Sequence, residues 1–263
     1  MNATADTPHR VSISLAGRAR IALRIAAMLG MLFVCVPLYY VWRLLRLHNP
    51  WPRIFLGSVG RIAGARPRIV GAPSRKGAFL LSNHVSWLDI PVISGASGSA
   101  FVAHSGLADV GPLKWLCDMN DTVFVARHER RSVHTQVEQV RTAISDTGAL
   151  TIFPEGTTSD GTGLLPFKSS LLSALDPPPP GIAIQPVWLD YGVDVPAMAW
   201  VGDEPGLDNF LKILARGRNL PVTIHFLPPL TAPESANRKI MASAARDRIL
   251  AAMAAATSPD RSI

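Results

Sequence analysis

Six short apolar runs beyond residue 66, separated by segments with helical periodicity, restrict this 263-residue chain more than any other feature. PheLeuLeuSer at 79–82, AlaPheValAla at 100–103, ValPheValAla at 123–126, LeuThrIlePhe at 150–153, IleAlaIleGlnProValTrpLeu at 182–189 and ValThrIleHisPhe at 222–226 read as strands. Several are apolar almost throughout, as strands buried on both faces are. Helical patterns around 112–119, 130–146, 168–175, 207–215 and 235–256 fill the gaps. The alternation predicts an α/β fold: a mixed, mainly parallel central sheet covered by helices. ProProProPro at 177–180 can continue neither element and reads as a stiff surface loop. No internal repeat or extended low-complexity tract is visible, so neither a solenoid nor a tail-driven function is supported.

The first 66 residues have a different character. Between Arg24 and Arg43 lie 18 uncharged residues, IAAMLGMLFVCVPLYYVW, flanked by Arg18 and Arg20 on one side and Arg46 on the other. As a helix this run would cover roughly 27 Å at ~1.5 Å per residue, just short of a ~30 Å hydrocarbon core. Pro37 would kink it, and Tyr39, Tyr40 and Trp42 suit a headgroup boundary. A helix dipping into one leaflet is therefore favoured over a full span, with two packed core helices as the plain alternative. No small-residue cleavage site follows, so the segment is expected to stay attached. After a turn at His48-Asn49-Pro50, residues 51–64 read as a second, amphipathic helix. The expected organisation is 1–66 as membrane-associating helices and 67–263 as the α/β domain.

Charge sharpens the choice of partners. Lys and Arg number 26 against 19 Asp and Glu, and 21 of those cations are arginines, whose forked donors suit phosphate and carboxylate oxygens. Anionic partners follow, and attachment to anionic lipid is one outlet for the surplus. No zinc-finger or RNA-binding aromatic signature points to nucleic acid. Cys35 and Cys117 cannot make a disulfide framework or a four-cysteine zinc site, and no metal is expected.

Residues with chemistry gather where strands end. AsnHisValSerTrpLeuAsp at 83–89 leaves the 79–82 strand. On a regular helix the side chains of His84 and Asp89 would diverge by about 140° at ~100° per residue. With His84 in an irregular turn and Asp89 in the first helical turn, however, the carboxylate can reach one ring nitrogen. It would then fix the tautomer and stabilise the imidazolium while the other nitrogen removes a proton. A chain with seven histidines and 14 aspartates produces such pairs by chance, and a second one, His104 and Asp109, occurs here. PheProGluGlyThrThrSer at 153–159 also leaves a strand. Gly156 permits a sharp turn with exposed N–H groups, Thr157, Thr158 and Ser159 add hydroxyls, and Glu155 adds a carboxylate. Such a turn can hold a polar head group, or it can merely cap a helix. Arg127 places a cation at a third strand end.

These stretches together resemble the lysophosphatidate (1-acyl-glycerol-3-phosphate) acyltransferases and related glycerolipid acyltransferases. The similarity runs over roughly residues 70–205 and comprises AsnHisValSerTrpLeuAsp, PheValAlaArg ending at Arg127, PheProGluGlyThrThrSer, and IleGlnProVal at 184–187, in the family's order. It implies that His84 is the general base and Asp89 its orienting partner. It also implies that Arg127, Glu155 and Gly156, with the neighbouring Thr157, help bind the acceptor's glycerol-phosphate portion, and that Pro186 shapes the acyl-donor site. Lys168, after the third motif, is placed to meet acidic groups of either substrate. By the same comparison no cofactor is needed. The partners are a lysolipid acceptor, acyl-CoA or acyl carrier protein as thioester co-substrate, and the membrane surface, on the cytoplasmic face of the inner membrane.

The acceptor implied first is 1-acyl-sn-glycerol-3-phosphate, giving phosphatidate. Two departures weaken it: His104 stands where many relatives carry Lys, and Thr158 where Arg is frequent. A neutral imidazole attracts phosphate less than an ammonium does. His104 is still expected to help hold the acceptor. AlaTrpValGlyAsp at 199–203 resembles a segment of bacterial relatives that include lyso-ornithine-lipid acyltransferases, so lyso-ornithine lipid is the alternative acceptor. Two readings of other classes stand beside these: a lipid-ester hydrolase using Ser86, for which no Gly-x-Ser-x-Gly elbow is present, and a non-enzymatic membrane-surface binding module.

Overall fold

The computed structural model describes residues 13–74, 77–104, 111–125, 142, 144, 148–176, 178 and 181–257. Seven strands form one sheet: β1 (Ala65–Gly71), β2 (Ala78–Ser82), β3 (Ala100–His104), β4 (Val123–Val125), β5 (Ala149–Ile152), β6 (Ala183–Asp190) and β7 (Leu220–Phe226). Their spatial order is β1-β7-β6-β2-β5-β3-β4. Every pairing is parallel except β6 with β7. Side chains alternate between two cores along the central strands β2 and β6, with the period of two that a pleat imposes. Leu80, Val187, Leu189 and Ile224 enter one core, whereas Phe79, Leu81, Leu150 and Ile184 enter the other. Apolar residues on both faces therefore explain the continuous apolar runs.

Helices α1 (Leu15–Leu44), α2 (Trp51–Ala63), α3 (Asp89–Ser97), α4 (Gly111–Met119), α5 (Gly206–Ala215) and α6 (Arg238–Thr257) complete the described architecture. α6 covers the second core through Met241, Ala242 and Ala245. The helical expectation at 168–175 is met by a 3₁₀ helix, Ser169–Leu175. The expected helix over 130–146 lies outside the described residues apart from Thr142 and Ile144, and of the 177–180 loop only Pro178 is described. β1 has no counterpart among the runs read as strands. It is an edge strand of sequence ARPRIVG whose residues after Ala65 are exposed, so it lacks apolar alternation, and Pro67 is tolerated at an edge.

α1 is 30 residues long, about 45 Å at ~1.5 Å per residue, and is long and apolar enough to cross a membrane by length and composition. Only 6% of its apolar window is buried. Gly17, Cys35 and Tyr39 are buried, and Ile21, Ile25 and Met28 pack on the first core. These positions form one stripe at helical spacing. The outward side carries Leu23, Leu29, Phe33, Val34, Tyr40, Val41 and Leu44, all exposed. This exposure sets α1 apart from a packed core helix. Arg20 and Arg24 tie α1 to the body by donating to Ala215 O at 2.8 Å and Leu214 O at 2.9 Å, the carbonyls left open at the end of α5.

α2 in turn lies against α3. The two helices meet at Gly57 and Gly95, where a Cβ on Gly95 would fall 2.7 Å from Gly57 Cα. Arg53 of α2 caps the far end of α3, its guanidinium donating to Gly95 O and Ala96 O. Asp89 opens α3, so the helix that carries this carboxylate is held by α2 at its other end.

Candidate active site

β2, β3 and β5 run parallel, and their C-terminal ends open on one edge of the sheet, the usual place for ligands in such folds. The chain leaves β2 at Ser82. Asn83, 3% exposed, then acts as a backbone surrogate, donating to Leu189 O and accepting from Leu189 N, which fixes the start of the loop to β6. His84 follows in a turn, and α3 begins five residues later.

Asp89 is completely buried and accepts four hydrogen bonds. Its Oδ2 takes His84 Nδ1 at 2.7 Å, Val85 N at 2.6 Å and Ser86 N at 2.9 Å. Its Oδ1 takes Tyr191 Oη–H at 2.7 Å. The irregular turn thus lets two residues that could not share a helical face meet. His84 stacks on Phe153, ring centroids 4.0 Å apart, and its side chain is 17% exposed. Among the described residues nothing hydrogen-bonds Nε2. Such an arrangement can work as a general base, since a carboxylate that accepts from one ring nitrogen leaves the other free to take a proton.

The loop after β5 clamps this turn from the other side. Glu155, 1% exposed, accepts from His84 N at 2.7 Å through Oε1 and from Leu165 N at 2.9 Å through Oε2. Burial pushes its carboxyl above the usual range, against the pull of these bonds. Ser159 donates to His84 O from both its backbone N–H (2.8 Å) and its hydroxyl (3.1 Å). Gly156 adopts φ +70°, and a side chain there would meet Lys168 Nζ at 3.1 Å. Lys168 is also anchored through its N–H to Pro154 O, so it belongs to the same loop.

The structure thus brings together His84, Asp89, Glu155, Gly156 and Lys168, with Thr157 exposed on the same turn. Pro186 is buried within β6, in register with Leu81 of β2, and lies in the sheet beside the strand that leads to His84. His104 closes β3 at the same edge, its backbone paired with Val125. Arg127 and Asp109 lie outside the described residues. Ser86 is fully buried, and its Oγ accepts from Leu88 N at 3.1 Å within the turn that precedes α3. Sealed in that role, it is no nucleophile, which removes the hydrolase reading.

Sequence reasoning missed Tyr191, 102 positions from its partner Asp89, and the clamp made by the 199–203 segment. Trp200 N donates to Val85 O at 2.9 Å, and Thr158 Oγ1 donates to Trp200 O. The placement of Tyr191 at the end of a strand was the only local signal. Beside the dyad, an apolar cavity of about 200 Å³ is lined by Leu32, Cys35, Trp51, Phe55, Ile90 and Phe101 among others. Ile90 adjoins Asp89, and Phe101 stacks at 6.1 Å on the Phe153 ring that supports His84.

Comparison with known proteins agrees with this chemistry. The family profile described as Acyltransferase matches residues 67–190. Lyso-ornithine lipid O-acyltransferase of Rhodobacter capsulatus is 32% identical over 91% of this chain and 92% of that protein. The Brucella abortus protein of the same description is 31% identical over 91% and 96%. The 1-acyl-sn-glycerol-3-phosphate acyltransferase of Neisseria gonorrhoeae is 30% identical over 70% and 74%. In fold, the crystal structure of the 1-acyl-sn-glycerophosphate acyltransferase of Thermotoga maritima superposes with a TM-score of 0.61 at 17% identity, over 92% of this chain and all of that one. The chain belongs to the acyltransferase family. It is an O-acyltransferase that draws on a thioester co-substrate, and among the described residues no group of three or more His, Cys, Asp or Glu is placed to hold a metal ion.

Proposed function

We propose that the chain acylates the free hydroxyl of a lysolipid, with lyso-ornithine lipid as the acceptor, and that His84 and Asp89 carry the step. The observation behind this is the 2.7 Å contact between His84 Nδ1 and a buried carboxylate, with Nε2 unengaged among the described residues. Nε2 takes the proton of the acceptor hydroxyl as its oxygen bonds to the thioester carbonyl carbon. The tetrahedral intermediate collapses with cleavage of the C–S bond, and the imidazolium returns its proton to the departing thiolate. Asp89 stabilises the imidazolium throughout. Glu155 and Ser159 act by fixing the main chain of His84, while Gly156, Thr157 and Lys168 serve the acceptor's head group, with His104 and Arg127 assigned to it by the family resemblance alone. Pro186 shapes the sheet next to the donor, and the apolar cavity receives an acyl chain.

Support for the amino-acid head group comes from two sides. Two relatives described as lyso-ornithine lipid O-acyltransferases align over 92% and 96% of their length, whereas the Neisseria relative described as a 1-acyl-sn-glycerol-3-phosphate acyltransferase aligns over 74% of its own. Thr158, at a position where an Arg is frequent in relatives, spends its hydroxyl on the Trp200 carbonyl and offers no cation to a phosphomonoester. An ornithine head group carries an amine and a carboxylate instead.

α1 serves this reaction by holding the domain on the bilayer. Its inner stripe stays on the protein along most of its length, leaving only the outer apolar face for hydrocarbon, which favours a helix lying in one leaflet. With soluble acyl-CoA or acyl carrier protein as donor, the side is the cytoplasmic face of the inner membrane. The test is an acceptor panel in mixed micelles, read by thiol release and mass analysis of the product. Faster turnover of lyso-ornithine lipid than of lysophosphatidate is expected; the reverse order would replace the proposed acceptor.

A further inference from the structure

Asp89 has a partner outside every motif of the family resemblance. Tyr191 follows the last residue of β6, is 2% exposed, and directs its hydroxyl at Asp89 Oδ1 from 2.7 Å. Buried tyrosines seldom leave the hydroxyl unpaired, so the contact alone could be a matter of packing. The rest of the geometry makes it more. Oδ2 already receives His84 Nδ1 and two backbone N–H groups, and among the described residues the hydrogen bond from Tyr191 is the one fixed point on the other oxygen. It therefore sets the rotation of the carboxylate plane, and hence the direction in which Oδ2 meets the imidazole.

The geometry points to Tyr191 as a positioning residue for the reaction, a third member that orients and stabilises the Asp89 carboxylate so that His84 presents Nε2 to the acceptor hydroxyl. This inference rests on the proposed role of the His84–Asp89 pair. Burial and the adjacent carboxylate both push the phenol's pKa well above its ordinary value, so Tyr191 keeps its proton and remains a donor throughout the working range. The ionisable groups facing this relay are His84, Asp89 and, across the main chain of His84, Glu155. Removing the hydroxyl leaves negative charge on Asp89 less delocalised, and that charge then holds the His84 proton more tightly. The acid limb of the rate profile, which reports formation of neutral His84, should move to higher pH.

Tyr191→Phe deletes one oxygen from a packed ring. In the full-length protein in mixed micelles, kcat is expected to fall about 10- to 100-fold, below the ~10²- to 10⁴-fold loss from removing a general base. KM for acyl-CoA and for the lysolipid should stay within about twofold, and the acid limb of kcat/KM should shift upward. Tyr191→Met removes the donor with a different side chain, so a loss shared by both variants belongs to the hydroxyl even where one of them folds poorly. A Phe variant with wild-type kcat, or one whose loss comes with an unmoved acid limb, would overturn the assignment. His84→Ala in the same assay separates the two readings. If it is inactive while Tyr191→Phe is normal, only the role of Tyr191 fails, whereas turnover without His84 removes the catalytic reading itself.

Discussion

Replacing Asp89 with Asn tests whether the buried carboxylate serves chemistry or merely folding, because the structure lets the two costs be worked out separately. Asn is isosteric. With its carbonyl oxygen in the place of Oδ2 it still accepts from His84 Nδ1, Val85 N and Ser86 N, and its amide then points at Tyr191, whose oxygen can accept. No donor is left facing a donor. The fold loses only the charge assistance in these bonds, a cost of about 1–3 kcal/mol. The reaction loses the anion that faces the imidazolium. Charge centres about 4 Å apart at an effective dielectric near 20 interact by about 4 kcal/mol. At ~1.36 kcal/mol per tenfold, this is about 10³ in rate. Asp89→Asn should therefore remain folded, with a modestly lower denaturation midpoint, and turn over roughly a thousandfold more slowly in the thiol-release assay. Retention of more than a tenth of wild-type turnover, or a loss no larger than the unfolded fraction explains, would refute the reasoning.

Three further outcomes follow from the packing. Phe33, 78% exposed on the outer face of α1, should leave water on binding lipid; burying a Phe contributes about 1.5–3 kcal/mol, so Phe33→Asp should weaken vesicle partitioning by at least roughly tenfold in flotation while leaving micellar turnover close to wild type. Gly95→Val would press a side chain into Gly57 at the α2–α3 crossing and should cost about 1–3 kcal/mol by overpacking, read as a lower denaturation midpoint with a fall in turnover, because α3 carries Asp89. His225 stacks on Trp188 at 4.5 Å, and burial lowers its proton affinity below the ordinary value of 6.5. The unfolded chain then binds the proton more readily than the fold does, so stability should drop as pH falls below 6.5 toward the folded-state value, and His225→Phe should flatten that part of a thermal-midpoint profile.

How much could be read beforehand depended on whether the determining contact was local. The central strands announced themselves because burial on both faces demands unbroken apolar runs, and Leu80, Phe79, Val187 and Ile184 show why. β1 stayed hidden because an exposed edge strand needs only backbone pairing with β7, and ArgProArg carries no trace of that pairing. In the site, the five-residue interval from His84 to Asp89 was readable because both ends of the contact lie in one turn. The hydroxyl of Tyr191 and the backbone N–H of Trp200 reach the same turn from more than a hundred residues away, beyond the end of β6 in its register against β2, and no local pattern encodes such a register.

The order of packing also explains why a catalytic domain of this kind carries its apolar helix as an integral part. α1 presents one stripe to the body and packs beside α2; α2 meets α3 backbone to backbone at Gly57 and Gly95; α3 starts at Asp89. α1 meets α2 through large side chains such as Trp42 and Trp51, whereas the α2–α3 crossing has little side-chain volume to absorb displacement, so a shift of α2 under α1 is passed on to the carboxylate, and through it to His84. A lysolipid hydroxyl sits at a fixed depth below the headgroups, and a base that must reach it within hydrogen-bonding distance gains from being referenced to the bilayer through helices instead of through a loop. A flexible linker inserted at His48–Pro50, between α1 and α2, should leave the dyad intact but uncouple its height from the membrane, lowering turnover on vesicles more than turnover in detergent micelles. Equal effects in the two media would mean that α1 only tethers the domain.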